Sequence, residues 1–192
     1  HTAEAMHLLQ RPRPSSAGAR HGVDELMLFE HMATMMTNEG RLPEAENFAR
    51  KAFEGMEVAF PPGAQDIRPA AARARLAHVL HLRGYFEEAE HHLRQAFSEY
   101  ESSLGQEHPH TLGCARNLAV LLKQVAVHSS RSHKLLQEAQ GLLQKASDGY
   151  ASTLGSDHPD AQRAARNVEN FRLWRTKVTD GGGGHASRGG EL

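Results

Sequence analysis

A chain of 192 residues is long enough to bury one ordinary hydrophobic core and still carry tails. Its 22 basic and 23 acidic residues leave a net charge of −1, so bulk charge draws it neither to nucleic acid nor to an anionic membrane, and any electrostatic preference must come from local segregation. The single cysteine, Cys114, cannot form an internal disulfide, which fits a reducing, cytoplasmic setting, and no apolar run approaches the roughly 18 residues a membrane-spanning helix needs.

The opening His1-Thr2-Ala3-Glu4-Ala5-Met6 is too polar for a secretory signal, and Arg11-Pro12-Arg13-Pro14-Ser15-Ser16 breaks any helical period. Residues 1–21 are therefore expected to be a disordered segment, and residues 22–176 the folded domain. Within that domain the apolar pattern is helical throughout. Gly40-Arg41-Leu42-Pro43-Glu44-Ala45-Glu46 shares its layout with Gly84-Tyr85-Phe86-Glu87-Glu88-Ala89-Glu90 and, more loosely, with Leu135-Leu136-Gln137-Glu138-Ala139-Gln140. The anchoring alanines Ala45, Ala89 and Ala139 lie 44 and then 50 residues apart, whereas those of the preceding helices, Ala33, Ala77 and Ala119, lie 44 and then 42 apart. A fixed period of this size signals stacked helix–turn–helix units. The extra length in the third unit falls between its helices, so Val125–His133 is expected to be a lengthened loop.

In the second unit, Leu76, Ala77 and Leu80 form the apolar stripe of a first helix, and Phe86, Ala89, Leu93 and Ala96 the matching stripe of a second. Gly84 suits the tight turn between them because it reaches positive φ without penalty. The second and third units then close on one phrase used twice: Tyr100-Glu101-Ser102-Ser103-Leu104-Gly105-Gln106-Glu107-His108-Pro109 returns as Tyr150-Ala151-Ser152-Thr153-Leu154-Gly155-Ser156-Asp157-His158-Pro159. Leu104 and Leu154 should end a helix, Gly105 and Gly155 should supply a left-handed cap, and Pro109 and Pro159 should start the next helix. Glu107 and Asp157 precede those starts, where the helix dipole favours negative charge. Capping accounts for Asp157-His158 without a catalytic dyad. From Thr179 the chain turns glycine-rich, and residues 177–192 are expected to be a disordered tail.

These motifs resemble tetratricopeptide repeats of the 42-residue kind found in kinesin light chains. The resemblance rests on the Gly-x-x-x-Glu-Ala-Glu turn and helix at Gly84–Glu90, on the Leu-Gly-x-Glu/Asp-His-Pro connector and on Asn117-Leu118-Ala119, and it spans about residues 24–175. Unit one departs from it, with Phe60-Pro61-Pro62-Gly63-Ala64 in place of the connector. The final helix departs too, with Glu169 where Ala119 stood one unit earlier; a charge there points to a closing helix whose outer face meets water. The resemblance implies an all-α superhelix of three helix pairs plus a closing helix, acting as a protein–protein interaction module. The short, proline-broken start offers no heptad seam, so binding to a kinesin heavy chain through a coiled coil does not carry over.

In superhelices of this kind the first helices line a concave wall. Residues opposite the packing stripe would be His31, Thr34 and Asn38 in unit one; Arg75, His78 and His81 in unit two; Arg116, Asn117, Lys123 and Gln124 in unit three; and Arg166, Asn167 and Asn170 in the last helix. His31, Arg75, Asn117 and Asn167 hold one register, two residues before each anchor position. Arg73 falls on the packing row instead. The wall set contains no carboxylate, while the second helices carry Glu44, Glu46, Glu87, Glu88 and Glu90. Guanidinium groups fork onto carboxylates and amides pair with peptide backbone, so the ligand expected is an extended, acidic peptide. The alternatives are an architectural piece of a longer array with no peptide ligand of its own and, less favoured, a metal- or RNA-binding protein. His78, His81, His91 and His92 do not make a closed metal site by spacing, and no basic–aromatic platform for nucleic acid is evident. No phosphate loop, nucleophile elbow or other enzyme motif occurs, and no cofactor is expected.

Overall fold

The computed structural model describes residues 20–61, 66–127 and 132–181. They form seven helices: α1 (Arg20–Asn38), α2 (Leu42–Ala59), α3 (Arg68–Leu82), α4 (Phe86–Leu104), α5 (Pro109–Val127), α6 (Ser132–Leu154) and α7 (Pro159–Gly181). Each packs on the next in sequence, giving three antiparallel pairs and a closing helix as the repeat pattern predicts. In addition α1 meets α3, and α3 meets α5. The first helices of successive units thus approach one another directly and form the inner layer of the superhelix. The tails expected at 1–21 and 177–192 lie, apart from the ends of α1 and α7, outside the described residues.

A main core runs through the stack, with a smaller second cluster of Leu112, Tyr150, Ala161 and Ala164 where α5, α6 and α7 meet. The anchors Ala33, Ala45, Ala77, Ala89, Ala119 and Ala139 are all fully buried, and Met32, Met36, Leu76, Leu80, Leu93, Leu118, Leu121 and Leu122 fill the space around them. Small residues at the anchors let the backbones come close enough for these longer side chains to interdigitate. Gly149 follows the same logic: a Cβ there would lie 2.6 Å from the end of the buried Leu112 side chain.

The turns have two solutions. After α1 and α3, Gly40 and Gly84 stand at φ +75° and +82°, Arg41 N–H donates to Met36 O (2.9 Å), and Tyr85 N–H donates to Leu80 O (2.9 Å). Together with Gly40 N–H to Thr37 O and Gly84 N–H to His81 O these are Schellman motifs. The connector differs from its expectation. Gly105 has positive φ but ψ 170°, which is not the left-handed helical cap; it is the mirror-extended region that only glycine tolerates. It turns the chain so that α5 can begin at Pro109, where His108 takes over as cap: its Nδ1 accepts the His110 N–H at 3.2 Å. His158 does the same for Asp160 N–H at 3.2 Å ahead of α7. Thr111, fully buried, ties the corner by donating to Gly105 O at 2.8 Å.

The insertion is not all loop. α5 continues to Val127 because Val125 and Ala126 extend its apolar stripe, with Ala126 buried, and α6 already begins at Ser132. The remaining positions, 128–131, lie outside the described residues. In unit one, Phe60 ends α2 and carries the Arg68 guanidinium 3.9 Å from its ring centre, an arrangement that replaces the connector there.

Candidate functional site

The inner layer is stitched helix to helix in a fixed register. Between α1 and α3, Arg75 donates through Nη1 to Thr34 Oγ1 at 3.1 Å, and its Nε lies 3.7 Å from Glu30 Oε1. Between α3 and α5, His81 Nε2 and Gln124 Oε1 are within hydrogen-bonding distance. Between α5 and α7, Lys123 Nζ sits 4.8 Å from the centre of the Trp174 ring. His81 and Lys123 each lie four residues after the anchor position of their helix, and Gln124 and Trp174 each lie five after theirs. The same two rows therefore meet at successive interfaces.

Of the sequence-derived wall residues, Thr34 with Arg75 and His81 with Gln124 are brought into contact. His31, Asn38, Asn117, Arg166 and Asn170 are exposed, Asn167 is half-buried, and none of these six makes a side-chain hydrogen bond or ion pair among the described residues. His78 is on the open side, yet desolvation, then His81 and Arg75, hold its proton affinity below the ordinary histidine value. Arg116 is half-buried, with Nη1 shut off from solvent and without a hydrogen-bond partner. Arg73 sits on the packing row as the pattern predicts: it is buried, pairs with Glu57 and Glu99, and lies 4.7 Å over the Phe53 ring.

Two residues of the layer escaped sequence reasoning. Glu30 places a carboxylate beside Arg75, and burial raises its pKa above the ordinary glutamate value, against the opposing pull of the arginine. The signal was present in the register, since Glu30 stands three residues before its anchor, where Arg116 and Arg166 stand in theirs. Trp174 is the other; its place five after the anchor position matches Gln124.

The glutamates of the second helices are not a bare acidic face. Arg50 of α2 donates to Glu46 of its own helix (2.8 Å) and to Glu88 of α4 (2.7 Å). One unit on, Arg94 repeats the arrangement with Glu90 (3.1 Å) and Glu138 of α6, whose Oε2 is 3.0 Å from its Nη2. Lys145 of α6 reaches back to Glu101 at 2.9 Å. These ion pairs clamp the outer layer from unit to unit and engage Glu46, Glu88, Glu90, Glu101 and Glu138, while among the described residues Arg116, Arg166, Asn117 and Asn167 of the inner layer have no partners.

Residues 70–110 match the family model for the tetratricopeptide repeat, a stretch that covers most of α3, all of α4 and the connector. No curated protein matches the chain in sequence. Among solved structures, the chain is similar to BtubC (BKLC) from P. vanneervenii, with a TM-score of 0.68 at 17% identity over 93% of this chain and 64% of that one. It is similar also to kinesin light chain nearly identical TPR-like repeats from Podosopora anserina, with a TM-score of 0.68 at 21% identity over 84% of this chain and 71% of that one. A variant of the latter gives 0.63 at 20% over 93% and 76%. The chain thus spans just under two thirds of the length of BtubC. It carries a tetratricopeptide repeat and takes the fold of the kinesin light chain-like repeat proteins. Among the described residues no helix is long and apolar enough to cross a membrane, and no group of three metal-ligating side chains converges.

Proposed function

We propose that the protein is a non-enzymatic adaptor that captures an extended, acidic peptide of a partner protein along the inner layer, with Arg75, Arg116 and Asn117 at the centre of the wall. Tetratricopeptide repeats are protein-interaction modules, which supports the class of activity. The observation that carries the finer reading is the partition of charge: Glu46, Glu88, Glu101 and Glu138 of the second helices are engaged in unit-to-unit ion pairs, while Arg116, Arg166, Asn117 and Asn167 have no partner within the described residues. Arginine would take the peptide's carboxylates, and the asparagines its backbone N–H and C=O, so affinity would depend on charge more than on exact sequence. Reversing both charges, Arg75→Glu with Arg116→Glu, should abolish acidic-peptide binding in fluorescence anisotropy and leave the helical circular dichroism unchanged. Unchanged affinity in that variant would overturn the reading.

A further inference from the structure

The two central arginines of the wall have opposite surroundings. Arg75 stands two residues before its anchor and meets the residue three before the anchor of the preceding helix, which is Glu30. Its Nη1 is also taken by Thr34. Applying the same register two interfaces further, between α5 and α7, the residue three before the anchor of α5 is Arg116, and the residue of α7 that stands where Arg75 stands is Asn167. A neutral amide therefore occupies the place from which a charge would be answered. Among the described residues Arg116 makes no ion pair, and one of its guanidinium nitrogens is buried without an acceptor. Arg75 Nε and Glu30 Oε1 are also buried without a hydrogen bond, but Arg75 has that carboxylate 3.7 Å away and Thr34 on Nη1, so an incoming carboxylate gains more at Arg116.

The charges around it do not cancel it. Tyr150 of α6, which lies in the field of Arg116, donates its hydroxyl to Pro109 O at 3.0 Å. Asp160 of α7 acts on that tyrosine as well, but its own ion pairs are with Arg163 at 3.6 Å and His158 at 3.9 Å. Along the same layer, and among the described residues, Lys123 is held over Trp174 without an ion pair and Arg166 is exposed without one. Among the described residues, wall cations without a counter-ion thus lie in the α5–α7 half, and in the α1–α3 half Arg75 is neutralised by Glu30.

We infer that the acidic side chains of the peptide are read chiefly at a subsite formed by Arg116, Lys123 and Arg166, and that the Glu30–Arg75 pair, which carries no net charge, contributes less and sets which half of the wall the acidic end of the ligand occupies. This rests on the peptide-capture reading and adds its polarity. Arg116→Gln should weaken a fluorescein-labelled library of Glu- and Ser-rich peptides by about tenfold or more, as expected for loss of a charge-assisted hydrogen bond. Glu30→Gln with Arg75→Gln removes both charges of the other pair and should weaken affinity clearly less than Arg116→Gln does, because only the hydrogen bonds of Arg75 are lost there and the net field is unaltered. Glu30→Gln alone frees Arg75 and should raise affinity, a gain that loss of folding cannot mimic. Equal losses in Arg116→Gln and in the Glu30/Arg75 double variant, or no gain in Glu30→Gln, would overturn the subsite. Absence of any binding by the unsubstituted protein would instead overturn the peptide-capture reading beneath it.

Discussion

At the scale of single residues, the repeated connector divides its work between a glycine and a histidine. Gly105 sits at φ +86°, ψ 170°, and any side chain there is strained. Gly105→Ala should lower stability by about 1–3 kcal/mol, read from denaturant midpoints at constant m. His108 and His158 place Nδ1 on the second amide of the following helix, the job usually given to Ser, Thr, Asp or Asn. His108→Ala should cost about 1 kcal/mol, and His108→Asn should restore most of it. A full loss with Asn would assign the residue to packing instead. Helix ends and starts at Leu104, Pro109, Leu154 and Pro159 were legible in the sequence, because Leu-Gly and His-Pro carry strong stop and start signals. The histidine's own bond was not, since it depends on a side-chain rotamer, and neither was the ψ of Gly105, since glycine permits either conformation.

At the scale of elements, packing is set by small residues at the helix crossings and by ion pairs across the outer layer. Gly149→Ala drives a methyl into Leu112, which is too buried to yield, and should cost about 1–3 kcal/mol in thermal or chemical unfolding. The Arg94–Glu138 pair is partly solvated, so its loss should cost under about 1 kcal/mol and less at high salt. It has a pH signature. The Arg94 hydrogen bond lowers the pKa of Glu138 below its ordinary 4.5, so its stabilisation is present above that value and fades as pH falls through the lower native one. Glu138→Gln should therefore flatten the acid limb of stability below about pH 4.5. Glu30 has the opposite sign: burial raises its pKa, so its contribution is largest at low pH and is lost as pH rises through the raised value. The existence of each helix was readable from its 3.6-residue stripe. The clamps were not, because Arg50 and Glu88 are 38 residues apart and Arg94 and Glu138 are 44 apart. The insertion was read as loop because its serines and histidines hid how far Val125 and Ala126 prolong the stripe of α5.

At the scale of the whole molecule, α7 closes the array by changing the chemistry of one face. It buries Ala161, Ala164, Val168 and Phe171 against the stack. The positions equivalent to Leu112, Ala119 and Leu122 of α5 are Gln162, Glu169 and Arg172, all exposed. Restoring the α5 pattern with Gln162→Leu, Glu169→Ala and Arg172→Leu should produce concentration-dependent self-association in sedimentation velocity, because an apolar helix face then lacks a cover. Glu169 alone had flagged this role in the sequence, as a charge at a packing position. The wall was legible as a set of rows but not as a field: its arginines could be placed by register, whereas the neutralising Glu30 shows only when α1 and α3 are side by side. The measurement that bears most directly on the peptide-capture claim is titration of the protein with labelled acidic, neutral and basic peptide libraries at low and high salt. Preference for the acidic library, weakening as salt rises, is the predicted result; equal binding of all three libraries, or of none, at either salt concentration would contradict it.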